Sequence, residues 1–242
     1  MPTLDTRVLN ELRTVDTPTI CNVIELFEVR PRNQGYMDAR IRSCFPELPP
    51  IVGFAATATF RSSGPPREGD VYSSTQVQVE RFQELAGPPV VVFQDLDDPA
   101  IGATFGEQMC RTYQAFGALG LITSGAGRDL EQVRGLRFPV FTSGTICAHA
   151  YCHTLQVHVP VHVGGIVVYP NDLLHADADG VTTIPIDIAA EVADLAGEFL
   201  AAEAILVEAL SHGTATFETL RQANHEKRAR IARLRQRVSR AK

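Results

Sequence analysis

Lysine is nearly absent from this sequence. Of its 22 basic residues only Lys227 and Lys242 are lysines, and both stand in a charged segment at the carboxyl-terminal end. Schiff-base chemistry needs a lysine that is desolvated in a pocket, so neither a lysine-imine aldolase nor a pyridoxal-phosphate enzyme is expected. The motif Gly-Lys-Ser/Thr is missing as well, which excludes a P-loop nucleotide site.

Long apolar runs and a leader-like amino-terminal segment are also missing. The longest apolar stretches, such as Phe116–Thr123, are far shorter than the roughly 20 residues that span a bilayer. The first residues contain no apolar core of the kind found in signal peptides. Since 45% of the residues are apolar and 21% are charged, we expect a cytoplasmic globular protein without a membrane partner.

The cysteines and histidines form no recognisable metal motif. The five cysteines include no Cys-x-x-Cys pair, so we interpret them as reduced thiols that mostly fill the core. A catalytic role for Cys110 stays open, because it lies close in sequence to a candidate site. His149 and His153 have the i, i+4 spacing of a helix, but no His-Glu-x-x-His motif accompanies them, and this favours a zinc site only weakly.

Charge is distributed unevenly along the chain. Residues 221–242 hold nine basic residues and one acidic residue, a net charge of +8, while the whole chain carries −6, so residues 1–220 carry −14. An acidic body argues against a nucleic-acid-binding core. The basic tail either contacts RNA or, as a solvated helix, packs on an acidic neighbour, and no nucleic-acid partner is expected.

Hydrophobic patterning predicts alternating strands and helices, and therefore an α/β fold with helices packed on a mixed or parallel sheet. We treat residues 1–242 as one domain, with short strands and turns from Gln156 onward as a β-meander or barrel-like unit. The predicted helices cover 4–14, 17–28, Val71–Leu85, Gly106–Phe116, Asp129–Arg134, Ile186–His212 and Phe217–Arg240, and the predicted strands include Ile51–Phe60, Pro89–Asp95, Ala118–Thr123 and Pro139–Phe141. The last two helices, about 187–240, are predicted to form an arm that reaches a neighbouring subunit.

The segment Gly117–Asp129 is the most informative for function. A predicted buried strand ends at Ser124, the backbone is predicted to turn at Gly125 and Gly127, and Arg128-Asp129 opens a helix. Ligands of α/β sheets bind at the carboxyl ends of strands. An adjacent Arg-Asp pair offers one group for a carboxylate and one for a cation. The alternative is a helix-capping aspartate beside a solvent-facing arginine.

Two further motifs flank or overlap this segment. The sequence Gly125-Ala126-Gly127 resembles the start of a dinucleotide fingerprint, but Leu130 stands where its third glycine belongs. Gly106-Glu107 is predicted to begin a helix, whose first amides, those of Gln108 and Met109, would form an anion site. The alternative for that segment is an ordinary capped helix.

Taken together, these segments resemble the RraA-like family, which includes 4-hydroxy-4-methyl-2-oxoglutarate aldolases with oxaloacetate decarboxylase activity. The resemblance covers roughly residues 15–215. It rests on the combination of five motifs, which are A-x-x-G-E at Ala103–Glu107, G-x-x-G-x-x-x-x-G-x-x-R-D at Gly117–Asp129, F-P-V-F at Phe138–Phe141, and the segments Gly164–Asp172 and Asp177–Pro185. The aldolase branch has an acidic residue, then 20 residues, then Arg-Asp, and here Glu107 precedes Arg128 by that interval.

The resemblance implies a three-layered β/β/α swivelling-type fold that assembles as trimers or hexamers. It implies Asp129 as the direct ligand of Mg²⁺ or Mn²⁺ and Arg128 as the residue that binds the 2-oxo acid and its enolate oxygen. Gly106 and the amides of Gln108 and Met109 would cradle the substrate carboxylate.

Two glutamates complete the implied metal site. Glu107 would hold a metal-bound water, and Glu203 would reach that water shell from a neighbouring subunit, because E-x9-G recurs from Glu203 to Gly213. The implied function is a metal-dependent lyase that cleaves a C–C bond of a 2-oxo acid through a pyruvate enolate, by retro-aldol cleavage, by oxaloacetate decarboxylation or by both. The scarcity of lysine agrees with a metal in place of an imine.

The sequence leaves three alternatives to this function. Some members of the family are non-catalytic, protein-binding regulators of ribonuclease activity that lack the acidic residue ahead of Arg-Asp, so Glu107 favours the enzyme. Methyl transfer in quinone synthesis is disfavoured, because no nucleotide-binding fingerprint is present. The third alternative is a structural oligomer without catalytic activity.

Overall fold

A mixed eight-stranded sheet forms the centre of the computed structural model, which describes residues 4–68, 74–211 and 215–239. The strand order is β1-β7-β5-β3-β2-β12-β13, with β9 paired to the outer part of β2. The strands are β1 (Arg42–Ser43), β2 (Ile51–Arg61), β3 (Pro89–Asp95), β4 (Ala103–Phe105), β5 (Leu121–Thr123), β6 (Ala126–Gly127), β7 (Val140–Thr142), β8 (Gly144–Thr145), β9 (His153–Val157), β10 (Val161–Val163), β11 (Ile166–Val168), β12 (Leu173–Asp177) and β13 (Gly180–Ile184).

The described residues form seven α-helices around the sheet, and 3-10 turns extend three of them, at 25–27, 81–84 and 186–188. Asp16 begins the second helix by accepting a hydrogen bond from the Thr19 N–H, with Pro18 in the first turn. The helices are α1 (Thr6–Leu12), α2 (Thr17–Ile24), α3 (Ser74–Glu80), α4 (Glu107–Ala115), α5 (Leu130–Gly135), α6 (Ala189–Ser211) and α7 (Phe217–Val238).

The alternation of side chains along β2 explains the layers of the fold. Ten consecutive residues of β2 are buried, as expected for a strand covered on both faces. Val52 and Phe54 pack with α1, α2 and α6, and farther along the same face Ala56, Ala58 and Phe60 pack with α3, α4 and α5. Ile51 and Ala55 point to the opposite face and pack against the β10–β11 hairpin. The predicted three-layered β/β/α fold is confirmed.

A second, three-stranded parallel sheet lies beside the main one and contains β4, β6 and β8. Residue Phe105 of β4 pairs with Gly127 of β6, and the Arg128 N–H extends this ladder to the Phe105 carbonyl oxygen at 3.1 Å. Each of these two strands leads directly into a helix, α4 and α5. Because the strands are parallel neighbours, both helices begin at the same edge of the sheet.

A buried histidine ties the amino-terminal helices to the sheet. The Nε2–H of His175 donates to the Leu12 carbonyl oxygen at 3.0 Å, so Nδ1 accepts the Thr17 hydroxyl at 2.8 Å. Asp177, two residues on in β12, accepts the Thr17 N–H at 2.7 Å. Burial lowers the pKa of His175, and the ring is therefore held neutral.

Most of the predicted helices and the long strands occur at their predicted positions, but several details were wrong. The Gly-rich segment at 125–127 is not a turn, because it contains the short strand β6. His149 and His153 do not share a helix, since His149 lies in a loop and His153 begins β9. The strands after Gln156 form no separate barrel-like unit, because β12 and β13 belong to the main sheet.

Some of the predicted features lie outside the described residues. The ends of three predicted helices, at 71–73, His212 and Arg240, lie outside the described residues. Among the residues described, no helix is both long and apolar enough to cross a membrane. The assignment of 1–242 to one domain and the cytoplasmic location stay predictions.

Candidate active site

The candidate active site is a cleft of about 750 Å³ between α3, α4 and the small sheet. It contains Gly106, Glu107, Gln108, Met109, Arg128 and Asp129, which are the predicted site residues other than Glu203. The sequence did not indicate the remaining wall residues, which are Thr75, Gln76, Val79, Glu80, Ala103, Thr104, Phe105, Thr112, Phe116, His149 and Cys152.

Two helix starts meet at one end of the cleft. Asp129 Oδ2 accepts the backbone N–H of Glu107 at 3.2 Å and lies 3.7 Å from Arg128 Nε. The side chains of Arg128 and Asp129 are 31% and 39% exposed, so both reach solvent in the cleft. The carboxylate of Asp129 therefore joins the start of α4 to the start of α5.

Gly106 permits this close approach. A Cβ atom built on Gly106 would lie 2.6 Å from Asp129 Oδ2 and 3.0 Å from Arg128 Nε. Since side-chain atoms do not approach carboxylate oxygens this closely without displacement, any larger residue at 106 would push the Arg-Asp pair away. The glycine is required here for space and not for an unusual backbone angle, because its φ is −148°.

The backbone of Asp129 is left-handed, with φ 57° and ψ 36°. This conformation is uncommon for non-glycine residues, and such residues cluster at functional sites. Asp129 stands at the N-cap position of α5 but makes no side-chain capping bond to that helix. It bonds across to α4 instead, so the alternative interpretation of an ordinary capping aspartate is wrong.

The first turn of α4 lines the cleft. The first intrahelical bond runs from the Cys110 N–H to the Gly106 carbonyl oxygen at 3.1 Å, and the N–H groups of Gln108 and Met109 precede it. Such amides carry the positive end of the helix dipole and suit an anion. The carboxylate of Glu107, in the same turn, is paired with Arg111 at 2.9 Å, one turn along the helix.

Two hydrogen bonds made by Gln78 fix the position of α3 at the cleft. The Tyr113 hydroxyl of α4 donates to Gln78 Oε1 at 2.6 Å, and Gln78 Nε2 donates to the Ala56 carbonyl oxygen of β2 at 3.3 Å. Tyr113 and Gln78 are fully buried. The wall that α3 provides is thereby fixed to both α4 and the sheet.

Two predicted candidates lie away from the cleft within one chain. Cys110 is fully buried in the core, and burial raises the pKa of its thiol, which removes it as a nucleophile. Glu203 lies in the middle of α6 and is not among the cleft-lining residues. Over the described residues, no three His, Cys, Asp or Glu side chains are grouped as a metal site. A role for Glu203 therefore needs a neighbouring subunit and stays a prediction.

A buried carboxyl group lies behind the site. Asp95, at the end of β3, is 9% exposed, and its Oδ1 accepts the Asp97 N–H at 3.0 Å. Its Oδ2 is buried, and no hydrogen-bond partner for it occurs in the described part of the chain. Burial raises the pKa of Asp95 to about 6. A Cβ atom on Gly125 would lie 2.4 Å from this Oδ2, so the glycine just before β6 leaves room for the carboxyl group.

Comparison with known proteins adds family information to this geometry. A family model described as "RraA-like: Aldolase/RraA" matches residues 17–183. A protein of Halalkalibacterium halodurans named "Putative 4-hydroxy-4-methyl-2-oxoglutarate aldolase" is 33% identical over 123 residues. The aligned part covers 50% of this chain and 59% of that protein, so the chain spans less than two thirds of the relative's length.

Two crystal structures are similar over most of the chain. An uncharacterized protein from Pseudomonas syringae pv. tomato superposes with a TM-score of 0.73 at 24% identity, over 93% of this chain and 95% of the other. Streptomyces coelicolor RraAS2, described as an unusual member of the RNase ES inhibitor RraA protein family, superposes with a TM-score of 0.67 at 25% identity. That match covers 84% of this chain and 97% of the other.

The buried carboxyl group generates a prediction about pH and stability. Because the pKa of Asp95 is raised in the folded state, its contribution to stability is present below the unfolded pKa, near 4, and is lost as the pH rises through about 6. Asparagine does not ionise, so Asp95→Asn removes the loss of stability that ionisation of the buried Asp95 causes. We expect the variant to be more stable than the parent by about 2 kcal/mol at pH 8, with roughly half of that gain gone at pH 5. Urea unfolding at both pH values measures the difference.

Asp97→Asn is the matched control. Burial alone would raise the pKa of Asp97, but hydrogen bonds from Ser63 and Ser62 outweigh this effect and lower it. The control should therefore lose stability at pH 8, the opposite sign to Asp95→Asn. The assignment would be contradicted if Asp95→Asn gained less stability over the parent at pH 8 than at pH 5.

Proposed function

The chain belongs to the RraA-like family, and we propose that it is a divalent-metal-dependent lyase that cleaves a C–C bond of a 2-oxo acid through a pyruvate enolate. Retro-aldol cleavage of a substrate of the 4-hydroxy-4-methyl-2-oxoglutarate type and decarboxylation of oxaloacetate both pass through this enolate. One site can therefore serve both reactions.

The observation that carries the proposal is the meeting of Arg128, Asp129 and the first turn of α4 at one end of the cleft. An enolate must be stabilised by an imine or by positive charge. Lys227 lies on α7 and is not a cleft-lining residue, and Lys242 lies outside the described residues. The guanidinium of Arg128 and the amides of Gln108 and Met109 supply positive charge at that end.

The residues at this end also suit Mg²⁺ or Mn²⁺. Mg²⁺ usually keeps several waters and takes one or two carboxylates from the protein. Asp129 offers one partly exposed carboxylate, and Glu107 a second on the adjoining helix. We assign Asp129 as the direct ligand and Glu107 as a ligand through water. The bound ion would supply Lewis-acid stabilisation of the charge that develops at the 2-oxo group.

The chain's own residues account for binding and proton transfer in the proposed reaction. In retro-aldol cleavage the C3–C4 bond breaks, its electron pair forms the enolate C2=C3 bond with charge on the C2 oxygen, and the C4 hydroxyl loses its proton to become a carbonyl. Arg128 binds the oxo acid and donates hydrogen bonds to the C2 oxygen as negative charge develops there. Glu107, acting through a water, accepts the proton, and a proton then adds to C3 to give pyruvate.

We also propose a homo-oligomer, a trimer or hexamer, in which Glu203 of α6 completes the water shell of a neighbouring subunit's metal. Support comes from the outer face of α6. Leu200, Val207 and Leu210 are 38%, 65% and 42% exposed, which is unusual for large apolar side chains on one helix. An interface between subunits would cover them.

A second candidate is a non-catalytic regulator that binds a ribonuclease. The similarity to RraAS2, which is described as belonging to an RNase ES inhibitor family, favours this candidate. Glu107 separates the two proposals, because it lines the same cleft as Arg128 and Asp129, and a regulator needs no carboxylate there.

The proposed chemistry predicts dependence on a divalent metal. Pyruvate release from oxaloacetate and from 4-hydroxy-4-methyl-2-oxoglutarate should vanish after treatment with EDTA and return with Mg²⁺ or Mn²⁺, because no lysine replaces the ion. An enzyme-free blank corrects for decarboxylation by the free metal. Full activity after exhaustive chelation would contradict the mechanism. So would a borohydride-trapped substrate adduct in the mass spectrum, because it would show an imine.

The role of Arg128 predicts a kinetic signature. Charge-assisted hydrogen bonds contribute roughly 1.5–3 kcal/mol each, so losing two of them in Arg128→Ala should lower kcat/KM on the order of 10²-fold or more. If the contacts strengthen in the transition state, kcat falls too. Arg128→Lys should not restore activity, because the planar fork is lost. Metal affinity should change little, since Asp129 remains.

Arg134→Ala is the control for this experiment. Arg134 lies on α5, the helix that Asp129 begins, but its side chain is exposed and pairs with Glu47 at 3.3 Å. It should keep parental kinetics. Parental turnover in folded Arg128→Ala would remove Arg128 from the site.

A further inference from the structure

The proposed reaction needs a proton donor for C3 of the enolate. Arg128, Asp129 and Glu107 already have other roles, in binding the oxo acid, holding the ion and accepting the C4 proton. A residue that transfers protons works best when its pKa lies near the working pH. Asp95, the buried carboxyl group behind this end of the cleft, is not used by the chemistry described so far.

The fold uses only half of the Asp95 side chain. Oδ1 accepts the Asp97 N–H at 3.0 Å, a bond that the side-chain oxygen of an asparagine would also make. Oδ2 is buried and forms no hydrogen bond with any described residue. Because burying an oxygen without a partner is unfavourable, the acidity of this residue points to a role outside folding.

Thr104 connects this oxygen with the cleft. A Cβ atom on Gly125 would lie 2.4 Å from Asp95 Oδ2 and 2.5 Å from Thr104 Oγ1, so the two oxygens are at most the sum of these distances apart, 4.9 Å. Thr104 also belongs to the wall of the cleft, although it is only 1% exposed. One bridging water or a small shift of either side chain completes a hydrogen-bonded path from the carboxyl group to the cleft.

The hydrogen bonds around Thr104 leave its hydroxyl hydrogen available. The Gly125 N–H donates to Thr123 Oγ1 at 2.9 Å, and the Thr123 hydroxyl donates to Thr104 Oγ1 at 3.1 Å. Thr104 is therefore an acceptor in this chain of bonds, and a hydroxyl that accepts one bond can still accept a second and donate its own hydrogen. Such a hydroxyl can take a proton on one side while it gives one on the other.

The small sheet places Thr104 close to the Arg128 end of the cleft. Thr104 comes two residues before Gly106, which is about 7 Å along a strand. A Cβ atom on Gly106 would lie 3.0 Å from Arg128 Nε. A short 2-oxo acid bound at Arg128 is therefore within reach of the Thr104 hydroxyl.

We propose that Asp95 supplies the proton that converts the enolate to pyruvate, and that the Thr104 hydroxyl carries it into the cleft. The Asp95 proton moves to the Thr104 oxygen, and the Thr104 proton forms the new C–H bond at C3. The electrons of that bond come from the C2=C3 bond, and the C2 oxygen becomes a carbonyl oxygen again. Asp95 is left as a carboxylate and regains a proton from water along the same path. The inference rests on the proposed function and names the source of its last proton.

The surroundings of Asp95 suit this role. Burial raises the pKa of Asp95 to about 6, and the nearby charges of Asp97 and Asp98 act in the same direction. Near neutral pH the group is therefore present both as an acid and as a carboxylate. It can give a proton and take one back within a catalytic cycle.

Exchange of the pyruvate methyl protons in D₂O measures this step without cleavage of a C–C bond. Proton NMR follows the methyl signal with the intact protein and Mg²⁺ at about pH 6, and a protein-free blank corrects for the metal. We expect Asp95→Asn to slow the exchange about 10²-fold, the lower end of what general acid–base catalysis contributes. Thr104→Val should slow it similarly, and Thr104→Ser, which keeps the hydroxyl, should restore most of the parental rate.

Two measurements separate this effect from a structural one. Oxalate, which mimics the pyruvate enolate and takes up no proton, should bind the variants with parental affinity in calorimetry. The first turnover of oxaloacetate should release CO₂ at the parental rate, because the C–C bond breaks before C3 is protonated.

Asp172→Asn is the matched control. Burial raises the pKa of Asp172 as well, and its Oδ2 accepts the Tyr169 N–H at 2.8 Å. It is not a cleft-lining residue, so the variant should exchange the methyl protons at the parental rate.

The outcomes distinguish the inference from its premise. If the parent both decarboxylates oxaloacetate and exchanges, parental exchange in folded Asp95→Asn or folded Thr104→Val overturns the inference, and the proposed function stands. A parent that decarboxylates without exchange overturns it too, as do equal losses of exchange, oxalate binding and CO₂ release in Asp95→Asn. If the parent does neither reaction, the proposed function fails and the inference fails with it. Asp95→Asn should fold, because it removes a buried acid, and its result decides the question even if Thr104→Val does not fold.

Discussion

The hydrogen bond from the Glu107 N–H to Asp129 Oδ2 is the contact on which the site depends. It joins the starts of α4 and α5, and it requires Gly106, because a Cβ atom there would lie 2.6 Å from the same oxygen. Through this contact a carboxylate, a guanidinium and a helix amino terminus share one end of the cleft. The left-handed backbone of Asp129 aims its side chain at α4, away from its own helix.

The surrounding fold supports this contact at a cost to stability. The parallel strands β4 and β6 deliver both helix starts to the same edge. The buried Asp95 lies behind them, and one of its oxygens has no hydrogen-bond partner among the described residues. Burying a carboxylate oxygen without a hydrogen-bond partner is unfavourable, and so is a left-handed aspartate. The fully buried strands β2 and β3 and the cores on both faces of the main sheet provide the stability that offsets these local costs.

Sequence patterns located Arg128, Asp129 and Glu107 because each follows an apolar strand or begins a helix, positions that local sequence encodes. They do not predict β4 and β6, since strands of three and two residues have no detectable periodicity, and the glycines around β6 favour a turn. The α3 wall was missed because its position depends on the long-range Tyr113–Gln78 hydrogen bond. The role of Glu203 depends on a second subunit, which the order of residues in one chain does not specify.

The most direct test of the account is a crystal structure of the protein with Mn²⁺ and oxalate, with the metal located by its anomalous scattering. The account predicts one Mn²⁺ at about 2.0–2.2 Å from a carboxylate oxygen of Asp129. Oxalate should lie between that ion and the Arg128 guanidinium, and the metal peak should be lost in Asp129→Asn. Mn²⁺ bound at other residues, or a peak that persists at full height in Asp129→Asn, would contradict the account.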